Sequence, residues 1–120
     1  MEMMGFKKVD LETQNLSKDC NEALILASLF SGRKHGYQLA LEIEERSQDY
    51  FRFNHGTLYP ILHKLEKEGL IDGSWIKEGP KRKRKQYSLT AKGKKYVSGR
   101  LAAWRRFFDH FFSIMGDVEK

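Results

Sequence analysis

The chain has one cysteine, Cys20, and two prolines in 120 residues. A single thiol cannot close an internal disulfide, so no disulfide framework is expected and a reducing, cytosolic setting fits. No stretch approaches the roughly 18 consecutive apolar residues of a membrane-spanning helix. The start, Met-Glu-Met-Met-Gly-Phe-Lys-Lys, lacks the apolar core of a secretory signal. The four histidines, His35, His55, His63 and His110, show no metal-ligand spacing. His55 and His63 stand eight residues apart, too far for ligands on one helical turn, and Cys20 has no partner motif. Phosphate loops, nucleophile elbows and cofactor fingerprints are missing as well. Asp19 with Glu22, and the group Glu42, Glu44 and Glu45, read as solvated helix charges and not as catalytic pairs. The chain is therefore not expected to be an enzyme, to hold a cofactor or metal, or to enter a membrane.

Positive charge is present, and it is unevenly placed. Net charge is +6. Residues 1–50 carry 6 basic and 9 acidic groups, whereas residues 51–100 carry 13 basic and 4 acidic ones. Clustered cations favour a polyanionic partner, because neutralising phosphates releases condensed counterions. Five of these cations are consecutive: Lys81, Arg82, Lys83, Arg84 and Lys85.

Hydrophobic spacing supplies the elements. Residues 1–16 have no sustained period and form an N-terminal extension. Ser17 is placed to cap a helix running to about Phe30, apolar almost all round and therefore buried on most sides. Gly36 opens a second helix, Tyr37 to about Arg46, with Leu39, Ala40 and Ile43 inward. Tyr50, Phe51 and Phe53 are expected to anchor the connector that follows. In a third helix, Leu58, Ile61, Leu62 and Leu65 lie on one face, while Thr57, Tyr59, His63, Lys64 and Lys67 lie on the other. Pro60 lacks an N–H and belongs near a helix start, which places the regular beginning close to Gly56 and leaves Asn54 and His55 at its approach. Gly69 is a stop signal. Leu70–Lys77 and Lys85–Leu89 read as two strands joined through Glu78-Gly79-Pro80. Thr90 can cap a last helix, on which Val97, Leu101, Trp104, Phe108, Phe111 and Met115 recur at heptad-like spacing. Phe107, Phe112 and Ile114 widen that stripe, and so much aromatic surface on one helix of a short chain points to an interface, most simply a homodimer seam, the alternative being that the helix folds back on its own core.

Three helices followed by a hairpin are the order of a winged helix-turn-helix. The expected fold is mainly α, strictly α+β: a winged helix-turn-helix over residues 17–90 and a dimerisation helix over 91–120. A helix of this kind fits the major groove of double-stranded DNA, and the hairpin lies on the backbone or enters the neighbouring minor groove. The DNA-contact candidates are Asn54, His55, Thr57, Tyr59, His63, Lys64, Lys67, Lys81, Arg82, Lys83, Arg84 and Lys85. A winged-helix module that binds another protein without specific DNA binding is the alternative reading, and the charge of residues 51–100 weighs against it.

Specific motifs narrow the class. His35-Gly36-Tyr37-Gln38-Leu39, then Gly56-Thr57-Leu58-Tyr59-Pro60 leading through Leu62, Leu65, Glu66, Gly69, Leu70 and Ile71, then Trp75, then Arg84-Lys85-Gln86-Tyr87-Ser88-Leu89-Thr90 with Gly93 resemble the PadR family of bacterial transcriptional regulators. The single long C-terminal helix is similar to that of its smaller subfamily, in which the first and last helices build the dimer. The resemblance implies a bacterial, nucleoid-associated homodimer on an inverted repeat, usually acting as a repressor, and it adds Tyr37 to the DNA-contact candidates through its hydroxyl, with plain core packing as the alternative for that residue. It also implies that a planar aromatic effector could lie between subunits, stacked on the tryptophan of the last helix. Trp104 occupies that place here, with Phe107, Phe108 and Phe111 as neighbours, although a tryptophan at such a position also serves as plain interface core.

Overall fold

The structure is a computed structural model that describes residues 18–119. The expected cap Ser17 and the extension 1–16 lie outside the described residues. Helix α1 covers residues 18–28 and tightens into a 3-10 turn, Leu29–Ser31. Strand β1 (Lys34–His35) leads into α2 (Gly36–Arg46). Helix α3 (His55–Lys67) follows, then the hairpin of β2 (Ile71–Lys77) and β3 (Lys83–Leu89), then α4 (Ala91–Met115), which ends in a 3-10 turn, Gly116–Glu119. The strands form one antiparallel sheet in the order β1-β3-β2. This is a mainly helical winged helix-turn-helix with a long C-terminal helix.

The helix starts follow from side-chain chemistry. The Asn54 carboxamide oxygen accepts the Thr57 backbone N–H at 2.9 Å, offsetting a donor that the first turn would leave unpaired. That cap begins α3 at His55, one residue before the position inferred from Pro60. Pro60 is consequently the sixth residue of the helix, and the helix runs through it. Thr90 Oγ1 accepts from Gly93 N at 2.9 Å and donates to the Gly69 carbonyl at 2.7 Å, so one residue starts α4 and closes the end of α3. Gly69 itself has φ +77°, the left-handed geometry that terminates a helix.

The core is a single cluster. Ile25, Leu26, Leu29, Leu39, Ile43, Leu58, Leu62, Leu65, Ile71 and Tyr87 are buried together, joined by Phe53, Leu70 and Val97. Ile61 packs at its margin, half-buried. Several expectations are corrected. A third strand, β1, joins the hairpin through Lys34 opposite Tyr87 and His35 opposite Gln86. Phe53 and Phe51 anchor the α2–α3 connector, but Tyr50 is 83% exposed and does not. Glu22 is not a solvated helix charge: it is only 6% exposed. Val97 packs within the body of one chain, so the uncovered part of the C-terminal stripe begins at Leu101.

Beyond Val97, α4 leaves the body. Leu101, Phe107, Phe111, Phe112, Ile114 and Met115 are all exposed, by 42–72%. The molecule is elongated accordingly, with extents of 60 × 28 × 24 Å.

Candidate nucleic-acid interface

Apolar Leu58, Leu62 and Leu65 hold α3 against the body. Their burial turns the opposite face outward, with His55, His63 and Lys67 exposed and Thr57, Tyr59 and Lys64 half-buried. Asn54 is exposed, but its side-chain oxygen is committed to the cap, which leaves its amide N–H groups free of that bond. His55 stacks on Tyr59, with ring centroids 5.7 Å apart. Tyr59 in turn lies over Gly36, where an added Cβ would stand 3.1 Å from its ring. The start of α2 and the outer face of α3 are thereby held together, with Tyr37 56% exposed beside them.

The five consecutive cations divide into two groups. Lys81, Arg82 and Lys83 are exposed at the wing turn, which is closed by the Glu78 N–H donating to the Arg82 carbonyl at 2.7 Å. Arg84 faces Glu78 at 3.5 Å. Lys85 donates to Glu66 of α3 at 2.8 Å, with its ammonium 5.8 Å from the Trp75 ring centroid and 5.5 Å from that of Tyr87. The hydrogen bond to Glu66 raises the Lys85 pKa despite partial burial. Burial pushes up the Tyr87 phenol. Gly73 makes the Lys85–Glu66 contact possible, since a Cβ there would clash with Lys85 Cε and lie 3.1 Å from Glu66 Oε2. The root of the wing is therefore fixed to α3 by an ion pair, and its tip carries the free cations.

Lys64 is engaged on the other side of α3. It donates to the buried Glu22 carboxylate of α1 at 2.6 Å and approaches Glu68 at 3.8 Å. Its pKa is raised, first by the hydrogen bond to Glu22. Burial, then Asp19, raises the pKa of the Cys20 thiol, which makes it a poor nucleophile. Among the described residues no cluster of potential ligands could hold a metal ion, and no helix is long and apolar enough to cross a membrane.

On α4, Trp104 and Phe108 meet edge to face at 5.7 Å and continue into Phe107, Phe111 and Phe112. Trp104, Leu101 and Val97 also face Ala23, Leu24, Ala27 and Phe30 across an apolar groove of about 470 Å³.

Sequence reasoning missed the three acids that fix the cations: Glu22, Glu66 and Glu78. It also gave no separate role to Trp75, which is 65% exposed on the wing. The five-residue connection 78–82 sets Trp75 opposite Lys85, and strand alternation puts both on the sheet face that carries Ile71 and Tyr87.

Comparison with known proteins agrees with this architecture. The model of the transcriptional regulator PadR-like family matches residues 25–98. An uncharacterised protein of Lysinibacillus sphaericus is 30% identical over 83 residues, covering 69% of this chain and 76% of that protein. The negative transcriptional regulator PadR of Bacillus subtilis is 34% identical over 70 residues; these are 58% of this chain but only 38% of that longer protein. The crystal structure of Bacillus subtilis PadR in complex with operator DNA superposes with a TM-score of 0.64 at 30% identity, covering 68% of this chain and 45% of that one. The chain belongs to the PadR-like family of transcriptional regulators.

Proposed function

We propose that this protein is a sequence-specific DNA-binding regulator, most simply a repressor, that acts as a homodimer on an inverted repeat. The observation that carries the reading is the shared border of α3 and the wing. The outward residues Tyr59 and His63 of α3 and the cations Lys83 and Arg84 line one slot, so a groove-reading helix and a cationic hairpin address the same side of the molecule. Thr57, Tyr59, His63 and the Asn54 amide reach base edges or the adjacent phosphates, with His55 beside them. Tyr37, Lys67 and the tip cations Lys81, Arg82 and Lys83 bind phosphate, which positions the protein without specifying sequence. Lys64, Arg84 and Lys85 meet phosphate only by sharing or leaving their carboxylates.

The aromatic arm supports the dimer. Leu101, Trp104, Phe108, Phe111 and Met115 form a stripe that one chain leaves largely open, and a second copy of α4 would cover it. Val97 lies at the root of this seam and already belongs to the body. In such a dimer the two α3 helices address half-sites about 34 Å apart, one turn of DNA. The groove beside Trp104 is apolar and broad enough for a planar aromatic effector, with Phe107, Phe108 and Phe111 near its outer end. Occupancy there would bias the spacing of the two reading helices. The repressor role rests on the name of the Bacillus subtilis relative, and a regulator of this kind would act in the cytoplasm, at the bacterial nucleoid.

Selection of bound duplexes from a random pool tests the whole reading. A two-fold symmetric consensus with half-sites one turn apart is the expected result. A consensus without symmetry would refute the dimer on DNA, and no enrichment would refute sequence-specific binding. Titrating planar aromatic compounds against wild type and Trp104→Ala tests the effector. Quenching that persists in the variant would place the ligand elsewhere.

A further inference from the structure

Trp75 is a large aromatic side chain that neither the core nor the seam of α4 accounts for. Ile71, Gly73 and Trp75 share one face of the sheet, opposite Leu89, Tyr87 and Lys85. This face runs outward along α3 in steps. Ile71 and Tyr87 enter the core, Lys85 reaches Glu66 at 2.8 Å, and at Trp75 the sheet and the helix have parted. A slot of about 330 Å³ opens there, bordered by Tyr37, Tyr59, His63, Trp75 and Lys83 among others.

The walls of the slot are set before any ligand arrives. Lys85 cannot swing away from the indole without parting from Glu66. Gly73 lets the lysine lie flat on the strand, since a Cβ there would collide with Lys85 Cε. The nearby carboxylates are occupied: Glu66 by Lys85, and Glu78 by Arg84 and His35. What lines the opening is therefore aromatic surface, the neutral donor groups of Tyr37, Tyr59 and Trp75, the imidazoles of His35 and His63, and three cations of which Lys83 is the exposed one. An apolar ring beside neutral donors and a cation matches deoxyribose linked to phosphate. The sugar presents C–H surface to a ring, and the phosphate accepts O–H and N–H bonds.

We propose that this slot takes one sugar–phosphate unit of the DNA strand that borders the groove read by α3, with Trp75 packed on the deoxyribose. The proposal rests on the DNA-binding reading and adds to it a positioning residue that carries no charge. That property separates it from the wing cations. Removing the indole lowers affinity at every salt concentration but leaves the salt slope unchanged, because no counterion is released through it.

The test is a salt titration of wild type, Trp75→Ala, Trp75→Phe and Lys83→Ala on a selected duplex, with circular dichroism to check folding. Trp75→Ala should bind roughly tenfold more weakly, the loss expected when an aromatic side chain buried at an interface is truncated, with an unaltered slope and partial recovery in Trp75→Phe. Lys83→Ala should lower the slope by about one. In a Trp104→Phe protein, where Trp75 is the remaining tryptophan, saturating duplex should change its emission. Trp75→Ala binding within twofold of wild type would overturn the proposal, as would silent Trp75 emission. A salt slope that falls in Trp75→Ala would also overturn it, because the residue would then merely hold the wing cations in place. Wild type that binds no duplex would instead refute the DNA reading, and this proposal with it.

Discussion

Residues 18–97 and the arm that continues α4 from residue 98 use similar side chains to opposite ends. The body converts Leu62, Leu65, Ile25 and Leu26 into a core with no exposure. In the arm, Leu101 is 54% exposed, Phe107 60% and Ile114 72%. Apolar spacing alone does not distinguish these cases. Crossing partners do: the body folds α1, α2, α3 and a sheet around one centre, whereas among the described residues the arm crosses α1 near its root. The body thus has its core within one chain, while the described residues leave the arm largely uncovered. The predictions that follow test this contrast.

The largest effect is expected inside the body. Leu62→Ala should cost about 2–5 kcal/mol in urea unfolding, since a fully buried leucine leaves a cavity, whereas Leu101→Ala should scarcely change the intrinsic stability of a monomer. Equal losses measured on dilute, monomeric protein would erase the contrast. Next comes the arm. Phe108→Glu should give a folded monomer by sedimentation and weaken operator binding by roughly 100-fold or more, because two half-site contacts cease to be linked. A variant that remains dimeric would show that the seam lies elsewhere.

Third, alanine at Lys81, Arg82 and Lys83 together should leave thermal unfolding nearly unchanged. The slope of log affinity against log salt should fall by about 3, roughly 0.9 for each phosphate that is no longer neutralised. An unchanged slope would remove the wing tip from the interface.

The smallest effect concerns the tie between α1 and α3. Lys64→Met leaves the Glu22 carboxylate buried without its partner and should destabilise by about 1 kcal/mol, reduced from a fully buried pair because Lys64 is substantially exposed. The folded-state pKa of Lys64 lies above its ordinary 10.5, so its contribution is fully present below that pH and is lost as pH rises through the folded value. The stability gap between wild type and Lys64→Met should therefore narrow above about pH 10.5. A gap that widened on the alkaline side would contradict the pairing.

Much of this was legible in the chain itself, and the limits have physical reasons. The stripe Leu58, Leu62 and Leu65, the alternation in β3 and the Thr90 cap express local periods, which a sequence carries directly. Gly56-Thr57-Leu58-Tyr59-Pro60 with the Tyr87–Gly93 segment was enough for the family. Strand β1 escaped because two residues have no period to read. Val97 fits the heptad as well as Leu101 does, and only the position of α1 above the first turns of α4 separates them. The functional faces were harder still. Lys64, Arg84 and Lys85 look like Lys67, Arg82 and Lys83 in sequence; their carboxylates arrive from 42, 6 and 19 residues away. Trp75 became visible only once the hairpin register and the α3 surface could be seen together.

Helix α1 has a mechanical consequence. It is tied to α3 by Glu22–Lys64 at 2.6 Å, to α2 by Ser28–Glu42 at 3.2 Å and to α4 by Asp19–Arg100 at 3.0 Å. It thus acts as a shared axle whose three spokes lie within about two and a half turns. Packed helices shift by about 1–2 Å or, more drastically, ratchet by one turn of about 5.4 Å. A step of that size would part Arg100 from Asp19 altogether. Displacement at the root of the arm would therefore load the Asp19–Arg100 contact first, and α1 would carry it to the Glu22–Lys64 contact on α3.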